Sequence, residues 1–187
     1  MKKTKEIINS VIKKYGINKV HYSVGMLVRK LNVIVKFNEE VDSNSLLMTR
    51  VDNIPTIRGS SDLAKALEES PAMFTEENGG RPSAKKILVV IIDDKLDSND
   101  DDMKDAASLV KELGIRVIPV GLDKADQVEL VKTTPVDEDV LTPSNDKTAE
   151  DIAKDIMDRA LNGENIISVI YSVAVICCSF TDRTNTT

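Results

Sequence analysis

The sequence predicts an α/β fold: a doubly wound, mostly parallel sheet with helices on both faces and one antiparallel edge strand. Three observations carry that expectation. Ile87 to Ile92 is an unbroken branched-aliphatic run, the pattern of a parallel strand covered on both faces. A helical stripe follows, made of Met103, Ala106, Ala107, Val110 and Leu113 and closed by Gly114. Ile115 to Val120 is then a second aliphatic run. Strand, helix and strand joined by short loops require right-handed crossovers onto a parallel sheet.

The elements can be justified in order. Thr4 is placed to cap a helix whose buried face is Ile7, Ile8, Val11, Ile12 and Tyr15, and Gly16 stops it. Val20 to Val28 alternates loosely and suits a strand. Leu31 to Phe37 suits a second, with Val33, Val35 and Phe37 on one face. The two-residue connection, Arg29 and Lys30, implies an antiparallel hairpin and hence the edge strand. A short helix is expected around Leu46 to Val51. Gly59-Ser60-Ser61-Asp62 then opens another that ends before Pro71. Asn78-Gly79-Gly80-Arg81-Pro82 is a loop by composition. Beyond the two aliphatic strands, Ala125 to Val131 reads as a short helix and Val140-Leu141 as a short strand. Thr148 caps a last helix with the stripe Ala149, Ile152, Ala153, Ile156, Met157, Ala160 and Leu161, ended by Gly163.

Residues 1–163 thus form one domain, and residues 164–187 a hydrophobic tail with a polar end. Within the tail, Ile166 to Phe180 carries no charge. As a helix it would rise about 22 Å, short of a hydrocarbon core about 30 Å thick. Ile, Val and Tyr favour extended structure, so a hydrophobic strand or a sticky tail is preferred to a membrane span. Any membrane contact is expected only through this segment.

With 187 residues, the chain suits one domain of ordinary size. Its 31 acids exceed its 25 bases, giving a net charge of −6 that repels phosphate backbones. There is no Trp, and three Tyr and three Phe supply few rings for base stacking, so nucleic acid is excluded as a partner class. The two cysteines, Cys177 and Cys178, are adjacent and suit unpaired thiols better than a strained bridge. Met1 to Glu6 is basic but leads into an amphipathic pattern, with no secretory signal peptide in this chain. Localisation is therefore unknown from composition.

Ligands of such sheets bind beyond the carboxyl ends of the strands, where Asp93 and Asp94 fall. Paired carboxylates there suit a hard cation such as Mg²⁺, and equally suit a solvated turn. Asp97, Asp100, Asp101, Asp102 and Asp105 extend the negative patch, and several favour the positive end of the next helix. An EF-hand is excluded, because the loop lacks the central Gly and the final bidentate Glu. Ser60, Ser61 and Asp62 read first as helix caps and second as hydroxyls or carboxylate aimed at a metal or anion. His21, the only histidine, has no recognisable acid or serine partner and reads as structural. No nucleophile elbow, P-loop or dinucleotide fingerprint is present.

Taken together, several segments resemble the von Willebrand factor type A domain, also called the integrin I domain. KEIINSVIKKYGI leading into VHYSVGML is similar to that family's first helix and second strand. RGSSDLAKALEES is similar to its G-[ST]-x-[DL]-x-x-AL segment. RPSAKKILVVIIDDKLDSNDDDMKDAASLVKELGIRVIPVGL resembles the stretch in which a strand ends in T-D-G and is followed by a helix and a strand. DVLTPSNDKTAEDIAKDIMDRALNG resembles the closing strand and helix, so the likeness spans about residues 5 to 163.

The resemblance implies a metal-ion-dependent adhesion site built from three loops. Ser61 matches in position the family's second-loop Thr, and Asp93 the Asp of T-D-G, with Asp94 in place of the glycine. The first loop, D-x-S-x-S after the opening central strand, has no counterpart. The implied domain is therefore truncated at its N-terminus and its metal site degenerate, with no cofactor or a weakly bound Mg²⁺ on Ser61 and Asp93. Without the central strand, either the strands starting near Val20 and Ile87 close the gap, or the sequence is a fragment.

For function, the resemblance implies a non-enzymatic protein-binding and adhesion module. Its partner would be a matrix or cell-surface protein, and its location extracellular or at the cell surface. In intact relatives an acidic side chain of the partner completes the coordination of the metal. Two alternatives come from other classes. A strand ending in Asp93-Asp94 also resembles the Mg²⁺-dependent acidic pocket of phosphoacceptor receiver domains, and a truncated product could have no function of its own.

Overall fold

The computed structural model describes residues 1–17, 20–28, 30–38, 43–55, 62–93, 100–123, 125–134, 139–161 and 171–178. The first helix, α1 (Lys2–Tyr15), buries Ile7, Ile8, Val11 and Ile12, and it ends at Gly16, whose N–H closes on the Ile12 carbonyl. Thr4 does not cap it. The helix starts one turn earlier, and Thr4 is a buried residue of its first turns. Lys13 and Lys14 sit in the last turn, where they complement the negative end of the helix dipole.

Strand β1 (Val20–Val28) pairs antiparallel with β2 (Lys30–Val35), as the short connection requires. A register shift at Val24/Gly25 breaks the expected alternation. Val35 consequently joins the core layer under α1, while Val33 and Phe37 pack in the opposite one; Phe37 lies just past the strand, its ring centroid 5.6 Å from that of Phe74. Ser43 caps α2 (Asn44–Asp52) through Leu46 N–H, and Asp62 caps α3 (Leu63–Glu69) through Lys65 N–H. Two 3-10 turns, Ser70–Phe74 and Glu76–Asn78, lead through a glycine loop to β3 (Lys85–Ile92). The run Ile87 to Ile92 is buried along its whole length, as its composition demands. Helix α4 (Asp100–Glu112), strand β4 (Ile115–Gly121) and the short α5 (Gln127–Val131) follow. Leu141 makes a single parallel bridge to Val120. At α6 (Ala149–Leu161), Thr148 and Asp151 cap each other reciprocally: Asp151 N–H donates to Thr148 Oγ1, and Thr148 N–H donates to the Asp151 carboxylate.

The last strand, β5 (Tyr171–Cys178), is the principal departure from the sequence-based expectation. It belongs to the segment assigned to a separate hydrophobic tail, yet it is the central strand of the sheet. The strand order is β2-β1-β5-β3-β4. On one side Val20 to Met26 run parallel with Tyr171 to Cys177, and on the other Lys85 to Ile92 run parallel with Tyr171 to Cys178. The place between β1 and β3 is therefore filled by β5. Strands β1 and β3 do not move together to meet each other. The physical reason is backbone saturation: two strands facing an empty slot would each expose a row of unpaired N–H and C=O groups in the middle of the sheet. The rest of the tail lies outside the described residues. No helix among the described residues is long and apolar enough to cross a membrane.

The core has two layers. Helices α1, α2 and α6 cover one sheet face, over Val20, Tyr22, Ile87, Val89, Tyr171, Val173 and Val175. Helices α3, α4 and α5, with Met73 and Phe74, cover the other, over Leu88, Val90, Ile92, Val117 and Ala174. The alternation Tyr171-Ser172-Val173-Ala174-Val175 thus sends large residues to the first layer and small ones to the second.

Candidate functional site at the carboxyl rim of the sheet

Four parallel strands end on one rim, and of the acids singled out from the sequence Asp93 lies at the end of one of them. Asp93 directly follows β3 and opens toward the start of α1. Its Oδ2 accepts a hydrogen bond from the ammonium of Met1 at 2.8 Å, and the two side chains are only 12% and 7% exposed. The pair is a charge-assisted bond in a half-dry setting, the strongest of the ordinary hydrogen-bond types. Cys178 of β5 stands level with Ile92, so the central strand also ends beside Asp93.

The capping carboxylate Asp62 and the first turns of α4 face each other across a cavity of about 440 Å³. Asp62, Lys65, Glu68, Asp102 and Asp105 line it. Asp101, Asp102 and Asp105 are solvated, and their place at the start of α4 is the favourable end of its dipole. Asp123, just past β4, adopts a left-handed backbone with φ of 50°. Ser60, Ser61, Asp94 and Asp97 lie outside the described residues, so the expected Ser61–Asp93 pair is represented here by Asp93 alone.

A hard divalent cation needs about six oxygen ligands, of which one or two are protein carboxylates. Among the described residues the donor set does not fit one. The Asp93 carboxylate is held by an ammonium, and no three His, Cys, Asp or Glu side chains converge to hold a metal. The Met1 contact had no signal in the sequence, since a chain terminus has no pattern.

At the opposite rim, Arg116 of β4 makes a two-pronged bond to Asp139, donating from Nε to Oδ2 at 2.8 Å and from Nη2 to Oδ1. The Asp139 side chain is 2% exposed, and this bond raises the guanidinium pKa above its usual value. The pair forms one wall of a cavity of about 630 Å³ beside α6, with Lys147, Asp155 and Arg159 opposite. Its balanced charges suit a structural clamp more than a reactive centre. His21 and Ser172 are brought level with each other by the pairing of β1 with β5, a proximity the sequence did not reveal.

Comparison with known proteins gives a consistent outcome. The family model for the von Willebrand factor type A domain matches residues 1–155. The human collagen alpha-5(VI) chain is 39% identical over 74 residues, 38% of this chain and 3% of that one. The human collagen alpha-6(VI) chain is 30% identical over 131 residues, 68% of this chain and 6% of the relative. Bovine matrilin-1 is 28% identical over 120 residues, covering 59% and 22%. The chain therefore spans only a small part of these relatives. Among solved structures, proximal thread matrix protein 1 of the mussel byssus superposes with a TM-score of 0.74 at 16% identity, covering 85% of this chain and 42% of that one. One structure of that protein has a zinc-occupied MIDAS motif. A von Willebrand factor type A protein from Catenulispora acidiphila superposes with a TM-score of 0.65 at 15% identity, over 85% and 38%. These structural likenesses confirm the fold, including its antiparallel edge strand.

Proposed function

Because the chain belongs to the von Willebrand factor type A domain family, we propose that it works as a non-enzymatic protein-binding module of an adhesion or matrix-type protein. Its metal-ion-dependent adhesion site is degenerate. The partner is a matrix or cell-surface protein, and the setting extracellular or at the cell surface. Relatives named as collagen VI chains and matrilin-1 support the matrix setting.

The observation that carries the degenerate-site reading is that the family's first loop, D-x-S-x-S, has no counterpart in the sequence. Ser61 and Asp93 are the two positions that the resemblance assigns to the cation, and together they supply too few oxygens for tight binding. Recognition of a partner would then rest on the shape and charge of the rim, without a bridging metal.

Calorimetric titration with Mg²⁺ and with Mn²⁺ tests the metal reading, and the expected outcome is no tight site. A tight site that Asp93→Ala abolishes would contradict it. Binding to a surface coated with collagen VI tests the matrix reading. Saturable binding that is equal in Mg²⁺ and in EDTA is expected, and absence of binding would remove it.

A further inference from the structure

The amino-terminal rim of the sheet, opposite Asp93, carries a row of polar side chains that the adhesion reading does not use. His21 of β1 is level with Ser172 of β5, which is level with Lys86 of β3. Residues level with one another on parallel strands point to the same face, about 4.8 Å apart. The flanking residues fix which face: Val20, Tyr22, Tyr171, Val173 and Ile87 belong to the layer under α1 and α6. His21, Ser172 and Lys86 therefore share the face covered by α3 and α4.

Two atoms of this row are anomalous. Ser172 is 1% exposed, and its Oγ makes no hydrogen bond. The buried Nδ1 of His21 also has no partner. An unsatisfied buried polar atom costs about 1–3 kcal/mol, and native proteins carry few of them. Two on neighbouring strands point to a shared occupant. The charges beside them are of one sign. Arg81 lies close enough to act on the imidazole charge, and neither Arg81 nor Lys86 makes an ion pair among the described residues. A bridging water would satisfy the hydroxyl and the ring nitrogen; an anion would in addition meet the partly buried Lys86 and the exposed Arg81.

We propose that His21, Ser172 and Lys86, with Arg81 beside them, bind a tetrahedral oxyanion such as sulfate or phosphate. Hydroxyl, imidazole N–H, ammonium and guanidinium are four different donors arriving from three strands and a loop. They match the four oxygens of such an ion better than the two of a carboxylate. Ser172 is not a nucleophile here, because its hydroxyl makes no bond to the imidazole.

As the only histidine, His21 gives a single imidazole signal in a proton NMR titration of the full chain. The titration is run in sulfate, whose charge is constant over the range, and in chloride at equal ionic strength. A phosphate arm and an acetate arm separate a tetrahedral site from a general anion effect. Sulfate and phosphate are expected to raise the His21 midpoint by about one pH unit relative to chloride, and acetate to leave it unmoved. Lys86→Met, a rim substitution that keeps the aliphatic stem, and Ser172→Ala are each expected to abolish the rise. The proposal is overturned if sulfate moves nothing in the wild type or moves the midpoint equally in both variants. A crystal structure grown in sulfate with only water between His21 and Ser172 would overturn it as well.

Discussion

Asp139 and Arg116 show how much depends on which member of a pair is dry. The Asp139 side chain is 2% exposed and that of Arg116 34%, so removing the arginine strands a buried carboxylate. Removing the acid leaves a guanidinium that water can still reach. Arg116→Met should cost about 3 kcal/mol and Asp139→Asn about 1–2 kcal/mol. Urea unfolding of the two variants checks this, and equal losses would mean that the burial is not as described. His21 gives a second prediction at this scale. Burial, and then the Arg81 charge, lower its pKa below 6.5. The unfolded chain therefore takes up a proton before the folded one does. Its contribution is complete above pH 6.5 and is lost as the pH falls from there toward the lowered folded-state value. In chloride, wild type minus His21→Gln stability should decline over that window. A difference that does not vary with pH would place the imidazole in water.

At the scale of elements, the glycine loop before β3 brings backbone close to backbone. A Cβ on Gly80 would stand 1.9 Å from the Phe74 carbonyl oxygen, a contact between backbones that no rotamer relieves. Gly114, which ends the α4 turn with φ of +70°, has nothing within 4 Å of such a Cβ. Gly114→Ala should cost about 1 kcal/mol, from the left-handed conformation alone. Gly80→Ala should cost several times more, and thermal melts that rank the two in reverse would refute the loop geometry. The same contrast between local and distant causes explains what could be read in advance. Strand β3, helices α4 and α6 and the caps at Asp62 and Thr148 were legible because their signals lie within a few residues of each other. The mismatch at Val35, which lies on the face opposite Val33 and Phe37, arose from a register shift between two strands, which alternation within one strand does not encode. For β5 the local signal was present in the alternation of Tyr171, Val173 and Val175 with Ser172 and Ala174, and the expectation was a hydrophobic strand or a sticky tail. Its seat between β1 and β3 depends on pairing partners some eighty and one hundred and fifty residues away. Nothing in the local sequence states that. At the site, Asp93 was legible from its place after an aliphatic strand. The Met1 ammonium on it and the row from His21 to Lys86 follow from tertiary placement.

Across the whole molecule, acids collect where parallel strands end and helices begin. Asp62, Asp93, Asp101 and Asp102 lie there, and bases such as Lys13, Lys14, Lys86 and Arg116 lie at the other rim. Asp139 also lies at that other rim, neutralised by Arg116, and the helix dipoles favour the acids at the first rim and the bases at the second. One suits the proposed partner contact and the other the proposed oxyanion. Both ends depend on the middle strand, which joins the β1–β2 half of the sheet to the β3–β4 half. Amide hydrogen exchange of the full chain is the most direct test. A strand paired on both sides opens only with the global unfolding of the domain, so the amides of Tyr171 to Cys178 should exchange as slowly as those of Leu88 to Ile91. Exchange of Tyr171 to Cys178 at the rate of a frayed terminus, with Leu88 to Ile91 still protected, would contradict the account.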